Sequence, residues 1–250
     1  MTVRELDAVF VNTKTGPMQT TVFEPIAAGK YPGIILFSEI FQITGPIRRI
    51  AQTIAGNGFV VAVPEIYHEI EPAGTVLAYD TSGSERGNGN KTIKELLSYD
   101  DDACALVQYL MQSEYTNNRV GTMGVCLGGH LALRAALNPL IGSAACIYPT
   151  DIHNRGLGKG MNDDTLDRMS EIKSELLMVW GRQDPHIPRE GRSVIYNAMA
   201  DANLNFSWHE FNAAHAFMRD EGVRYDPVAS QFVISMAVEL FKRTLGIGIK

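Results

Sequence analysis

Cys126 stands in the run Gly124-Val125-Cys126-Leu127-Gly128-Gly129. A thiol with a glycine two residues to either side is placed for nucleophilic chemistry. Before it, Arg119-Val120-Gly121-Thr122-Met123 reads as a short buried strand, and after it residues 127–138 read as a helix ended by Asn138-Pro139. A nucleophile on a sharp strand-to-helix turn sits at a strained φ/ψ, and side chains two residues away would collide with the turn. The thiolate is the attacking species, and a free cysteine with pKa ~8.5 needs help to ionise at neutral pH. Such a nucleophile calls for a base, and the base for an orienting acid.

Both are found downstream, in the order nucleophile, acid, base. Asp184 lies 58 residues on, in Gly181-Arg182-Gln183-Asp184-Pro185-His186-Ile187-Pro188, a Gly/Pro-framed turn just past an apolar strand. His215 follows after another 31 residues, in the small-residue loop Ala213-Ala214-His215-Ala216-Phe217. Two histidines compete for the role of base. His186 is too close to Asp184 in the chain, and His209 falls inside a strand. Cys104 and Cys146 read as small core residues, and Asp100-Asp101-Asp102 as the charged start of a solvated helix face. Asp151 and His153 are secondary candidates for capping a pocket. No Cys/His spacing matches a zinc site and no phosphate loop is present, so no metal or cofactor is expected.

The elements that must position these groups alternate. Residues 6–12 and 18–24 flank Thr13-Lys14-Thr15-Gly16-Pro17 as an opening β-hairpin. Strands are expected at 33–38, 59–63, 119–123, 143–148, 175–180 and 205–211, and helices at 46–56, 93–112, 127–138, 189–202 and 227–245. This pattern predicts an α/β fold whose mostly parallel central sheet is flanked by helices on both faces, in one domain over 1–250. The Gly-, Ser- and Asn-rich stretch 65–92 and the stretch 149–171 read as long irregular loops at the carboxyl ends of strands, where such sheets place ligands.

A formal charge of -6 argues against nucleic acid or an anionic membrane as partner. No apolar run is long enough to span a bilayer, and Met1-Thr2-Val3-Arg4-Glu5-Leu6 does not resemble a signal peptide. Three cysteines suit a reduced, cytoplasmic protein better than a disulfide framework. A monomer or small homo-oligomer is expected.

The Gly-x-Cys-x-Gly-Gly elbow, the Gly-x-x-Asp-x-x-x-Pro turn, the His-x-Phe-x-Arg run at 215–219 and Glu39-Ile40-Phe41 together resemble the dienelactone hydrolase family of α/β-hydrolases. The resemblance covers essentially the whole chain. It implies a Cys126–His215–Asp184 triad and an oxyanion hole made by the backbone N–H groups of Ile40 and Leu127. It also implies that Glu39 contacts the nucleophile and keeps the resting thiol neutral until substrate displaces it. Arg219 matches a family arginine that holds a substrate carboxylate. A second such arginine should lie within 65–92, where Arg86 and Lys91 are candidates and Tyr67 or Tyr79 would line the same pocket. The implied substrate is a small ester or lactone, an anionic one included, and the implied intermediate is a thioester. Two other readings stay open: a general carboxylesterase or thioesterase without lactone preference, and a non-catalytic hydrolase-fold protein that binds a ligand or senses redox state through its thiol.

Overall fold

The computed structural model describes residues 1–246. Three strands, β1 (Val3–Glu5), β2 (Val9–Thr13) and β3 (Gly16–Pro25), open the chain, and β2 and β3 form the expected hairpin. Then come β4 (Tyr31–Phe37), α1 (Gly45–Gly56), β5 (Val60–Pro64), α2 (Thr81–Ile93), α3 (Leu96–Gln112), β6 (Thr116–Val125), α4 (Leu127–Ala135) and β7 (Ile141–Ile147). β8 (Glu175–Gly181), α5 (Arg189–Asp201), β9 (Phe206–Phe211) and α6 (Pro227–Leu245) complete it.

The strands form one sheet in the order β1-β3-β5-β4-β6-β7-β8-β9, with β2 paired to β3. Pairing is parallel from β5 through β9, and only β1, β2 and β3 run antiparallel to their neighbours. Successive residues on β6 show why both faces are covered. The hydroxyl of Thr122 donates to Ala132 O of α4, whereas a Cβ at Gly121 would press on Leu245 and Phe241 of α6. Strand interiors that are apolar on consecutive residues therefore bury both faces, as β4 does along its whole length.

Four expectations are corrected. The stretch 65–92 is not all loop, because its second half is the helix α2. The buried residues of that helix are Gly83, Gly87 and Asn90. A Cβ on Gly83 would lie 2.0 Å from Ala78 O, and one on Gly87 2.4 Å from Ile40 O. Glycine costs about 1 kcal/mol in a helix, but here it lets the helix backbone approach its neighbours. Asp80 caps the start, accepting from Gly83 N at 2.7 Å.

The helix expected over 93–112 is broken at Lys94 and Glu95, which are extended, and α3 begins at Leu96. The Lys94 side chain is fully buried, with Nζ 2.6 Å from Asp102 and 3.1 Å from Glu69. The aspartate run is therefore not a solvated face. Asp100 meets Arg134 at 2.7 Å, Asp101 meets Lys14 at 2.7 Å, and Asp102 is buried. Cys146 does lie in the core, but Cys104 is exposed on α3 and not a core residue.

Candidate active site

Cys126 joins β6 to α4 with φ 57° and ψ -124°, a positive-φ conformation that residues with a side chain rarely adopt. The glycines around it are sterically required. A Cβ on Gly124 would lie 1.9 Å from Gly128 O, and one on Gly128 would lie 2.1 Å from Phe37 O at the end of β4. The turn thus brings the thiol directly beside the segment that follows β4.

Asp184 sits in the turn after β8, and His215 in the loop after β9. Nδ1–H of His215 donates to Asp184 Oδ2 at 2.5 Å, while the other carboxylate oxygen accepts from the His186 backbone N–H at 2.8 Å. Both residues are 4% exposed, so the pair is shielded from water. Tyr148 packs edge-on against the His215 ring from one direction at 5.1 Å, and His186 from another at 4.7 Å. Burial alone would lower the pKa of His215, but the negative charge of Cys126 as thiolate and the Asp184 bond outweigh it and raise it to about 10. With Nδ1 committed to Asp184, Nε2 is the nitrogen left to exchange a proton. Burial, and then the charge of His215, lower the pKa of His186.

The segment Ser38-Glu39-Ile40 leaves β4 beside the elbow. Glu39 is 2% exposed, and both its oxygens are occupied. Oε1 accepts from the Tyr79 hydroxyl at 2.6 Å and Oε2 from Arg219 Nη2 at 2.5 Å. The structure therefore gives the Glu39 carboxylate to Arg219 and Tyr79, and no hydrogen bond joins it to Cys126 among the described residues. The Arg219 guanidinium lies over the Tyr79 ring at 4.0 Å and the Phe41 ring at 5.2 Å. Burial and then the Glu39 carboxylate push the Tyr79 hydroxyl pKa up. Ile40 N–H and Leu127 N–H donate to no backbone acceptor among the described residues. Leu127 opens α4, where the first N–H groups have no partner within the helix.

These groups open onto a cavity of about 670 Å³, whose walls include Cys126, His215, Arg219, Ile40 and Phe41. α2 supplies one side through Thr81, Ser84, Asn88 and Lys91, with Tyr79 and Asp80 just before it. Asp151 of the 149–171 segment faces α2, its carboxylate 2.9 Å from Lys91 Nζ.

Two expected lining residues are corrected. Arg86 is on another face of α2, where Nε donates to Glu71 at 2.7 Å, outside the cavity. Tyr67 is fully buried beneath α2, its hydroxyl donating to Gly87 O at 3.0 Å. Of the alternatives in that segment, Lys91 and Tyr79 do reach the cavity. His186 and Arg224 line it too. His186 is two residues from Asp184 in the chain, and its ring packs on His215. Arg224 carries no local motif, and only its place five residues after Arg219 in the same loop marks it.

Among the described residues, no cluster of three or more His, Cys, Asp or Glu side chains is arranged to hold a metal ion. No described helix is long and apolar enough to cross a membrane.

The family model for the dienelactone hydrolase family matches residues 18–245. A provisionally named carboxymethylenebutenolidase of Saccharomyces cerevisiae is 41% identical over 239 residues, spanning 91% of this chain and 87% of the yeast protein. The carboxymethylenebutenolidase of Pseudomonas sp. strain P51 is 27% identical over 222 residues, 89% of each chain. Among solved structures, a provisionally titled dienelactone hydrolase from Klebsiella pneumoniae superposes with a TM-score of 0.85 at 18% identity, covering 97% of this chain and 100% of its own. At that identity the likeness speaks for the fold.

Proposed function

The chain belongs to the dienelactone hydrolase family of hydrolases, and from that premise we propose that it cleaves a carboxylic ester or lactone through Cys126, His215 and Asp184. The observation that carries this reading is the 2.5 Å His215–Asp184 bond beside a cysteine held at positive φ on a glycine-framed turn. The names of the curated relatives favour a dienelactone, a carboxymethylene-substituted butenolide, as substrate.

The thiolate of Cys126 attacks the carbonyl carbon, and the negative charge moves onto the carbonyl oxygen. The N–H groups of Ile40 and Leu127 hold that oxygen where charge develops, which is where fixed donors help most. Collapse of the adduct breaks the carbon–oxygen bond, and the His215 imidazolium gives its proton to the departing alkoxide. In a lactone that alkoxide remains tethered to the acyl group. A thioester joins the acyl group to Cys126. His215 then takes a proton from water, whose hydroxide attacks the thioester and frees the acid. The cysteine sulfur leaves as thiolate and the imidazolium is restored. Thiolates suit activated esters and lactones, whose leaving groups depart readily.

Cys126→Ala should abolish hydrolysis of a dienelactone and of 4-nitrophenyl acetate, and wild-type enzyme quenched during turnover should carry an acyl mass on Cys126. Near-normal turnover by the alanine variant would overturn the reading.

A further inference from the structure

A second cleft, of about 240 Å³, lies between α5 and β9 and shares no wall residue with the cavity beside Cys126. Arg189, Arg192 and Tyr196 stand at the i, i+3, i+7 spacing, so they form one stripe of α5. Trp208 and Glu210 are two apart on β9 and face the same way. Arg182 joins them from the turn after β8.

Three guanidiniums thus meet a single carboxylate. Glu210 Oε1 lies 3.4 Å from Arg192 Nε, and Oε2 lies 3.8 Å from Arg182 Nε. Both separations are long beside the bonded pairs of this fold, such as Arg134 with Asp100 at 2.7 Å. Glu210 also accepts from Trp208 Nε1–H at 3.2 Å. Arg189, exposed on the first turn of α5, makes no side-chain hydrogen bond or ion pair among the described residues.

Arg192 is built in rather than draped on the surface, being only 6% exposed. Its Nη1 donates to Ile187 O at 2.9 Å, and its Nε is enclosed without a hydrogen-bond acceptor. Nη2 has no partner among the described residues and is the donor left for the cleft. A guanidinium that is nine-tenths buried and only partly satisfied is costly, and a bound anion relieves that cost.

The surplus of two positive charges stands out in a chain of formal charge -6. A phosphate monoester carries about -1.5 to -2 at neutral pH and offers three strong acceptor oxygens. Planar guanidinium forks grip such oxygens in pairs. The rest of the wall is aromatic. Tyr196 is 45% exposed and meets the Trp208 ring edge-on, with centroids 5.3 Å apart. Two rings at right angles make a corner where a third stacks on one and abuts the other.

We infer that this cleft binds a small aromatic phosphate monoester. The phosphate meets Arg182, Arg189 and Arg192, and the ring packs on Trp208 and Tyr196. The inference is independent of the role of Cys126.

Phenyl phosphate is the probe, and the indole N–H resonance of Trp208, assigned through Trp208→Phe, reports where it binds. That resonance should shift saturably on titration. Inorganic phosphate should bind about tenfold more weakly, because it lacks the ring contact. Arg189→Gln, at an exposed side chain with no partner to lose, should raise the Kd for phenyl phosphate about tenfold, the change for one lost charge-assisted hydrogen bond. Arg189→Glu should abolish the shift. Arg219→Gln, in the other cavity, should leave the titration unchanged. A Trp208 resonance that stays still at millimolar phenyl phosphate overturns the inference. So does wild-type affinity in Arg189→Gln, or an equal loss of affinity in Arg219→Gln. Inorganic phosphate binding as tightly as phenyl phosphate overturns the ring contact.

Discussion

Asp184→Asn changes one heavy atom of a buried side chain, so its effect can be followed atom by atom. The native carboxylate accepts twice, from His186 N–H at 2.8 Å and from His215 Nδ1–H at 2.5 Å. An asparagine offers one acceptor and one donor. The backbone N–H of His186 cannot turn into an acceptor, so the amide oxygen must face it. The amide NH₂ then faces His215 Nδ1 and forces that nitrogen to accept. The ring proton moves to Nε2, where it points at the nucleophile and blocks Nε2 from acting as a base. The wrong tautomer is thus built in by geometry.

The energy at stake follows from the same pair. Burial works against a charged His215, yet the Cys126 thiolate and then Asp184 raise its pKa from 6.5 to about 10, so the buried site favours the imidazolium. A raised folded-state pKa contributes stability that is fully present below 6.5 and lost as pH climbs through about 10. Asp184→Asn removes the Asp184 share of that contribution. The same substitution in a serine triad lowers kcat by about 10⁴, and a fall of between about 10² and 10⁴ is expected here because a thiol ionises more readily than a hydroxyl. The assay is kcat for 4-nitrophenyl acetate from pH 6 to 9, beside thermal melts over the same range. A variant that melts as a folded protein yet turns over at the wild-type rate would refute the assignment of Asp184.

Two further perturbations probe the scaffold. Gly87→Ala and Gly89→Ala lie two residues apart on α2 and should act in opposite directions. A Cβ on Gly87 would stand 2.4 Å from Ile40 O, so this variant should lose both melting temperature and kcat as Ile40 is pushed aside. A Cβ on Gly89 meets nothing within 4 Å, and alanine there should add about 0.5–1 kcal/mol. Equal shifts in melting temperature would contradict the packing of α2 on the Ile40 segment. Asp163 is fully buried against Arg134 at 2.9 Å and His130 at 3.1 Å. Burial alone would raise its pKa, but these bonds hold it at about 2, so its stabilisation is complete above 3.8 and disappears as pH falls through about 2. Asp163→Asn should cost about 3 kcal/mol in urea unfolding at pH 7, with the gap from wild type closing toward pH 2. A gap that stays constant with pH would exclude this account.

The elbow cysteine and the Asp184–His215 pair could be picked out in the sequence because each proposed role calls for a particular side chain at a particular kind of turn. Gly124 and Gly128 mark the elbow through steric exclusion, and chain order finds Asp184 and His215. α2 was not legible, since its composition argues against a helix. What makes it one is supplied by distant residues: Tyr67 bonds Gly87 O, Glu71 takes Arg86 and Asn90, and Ile40 leaves room only for glycine. That one missing element accounts for both misplaced lining residues. Read as coil, 65–92 cannot say which side chains share a face. Read as helix, Ser84, Asn88 and Lys91 fall on one stripe at the i, i+4, i+7 spacing, and Arg86 falls off it.

Charges obey the same distinction more sharply. Asp100, Asp101 and Asp102 are consecutive, yet successive helix positions point about 100° apart, and the three reach Arg134, Lys14 and Lys94. None of those partners could be named from spacing, because each is fixed by how α3 packs on a separate segment. Arg224 shows the reverse. Its sequence neighbours Asp220, Glu221 and Asp226 suggest a neutralised loop, and the fold takes every one of them away to Arg49 or to the cap of α6. A charge that stays unpaired after all local acids have found other partners is a property of the tertiary structure alone. For that reason the elbow can be found by its motif, while the surroundings of a side chain such as Arg224 can be judged only in the folded chain.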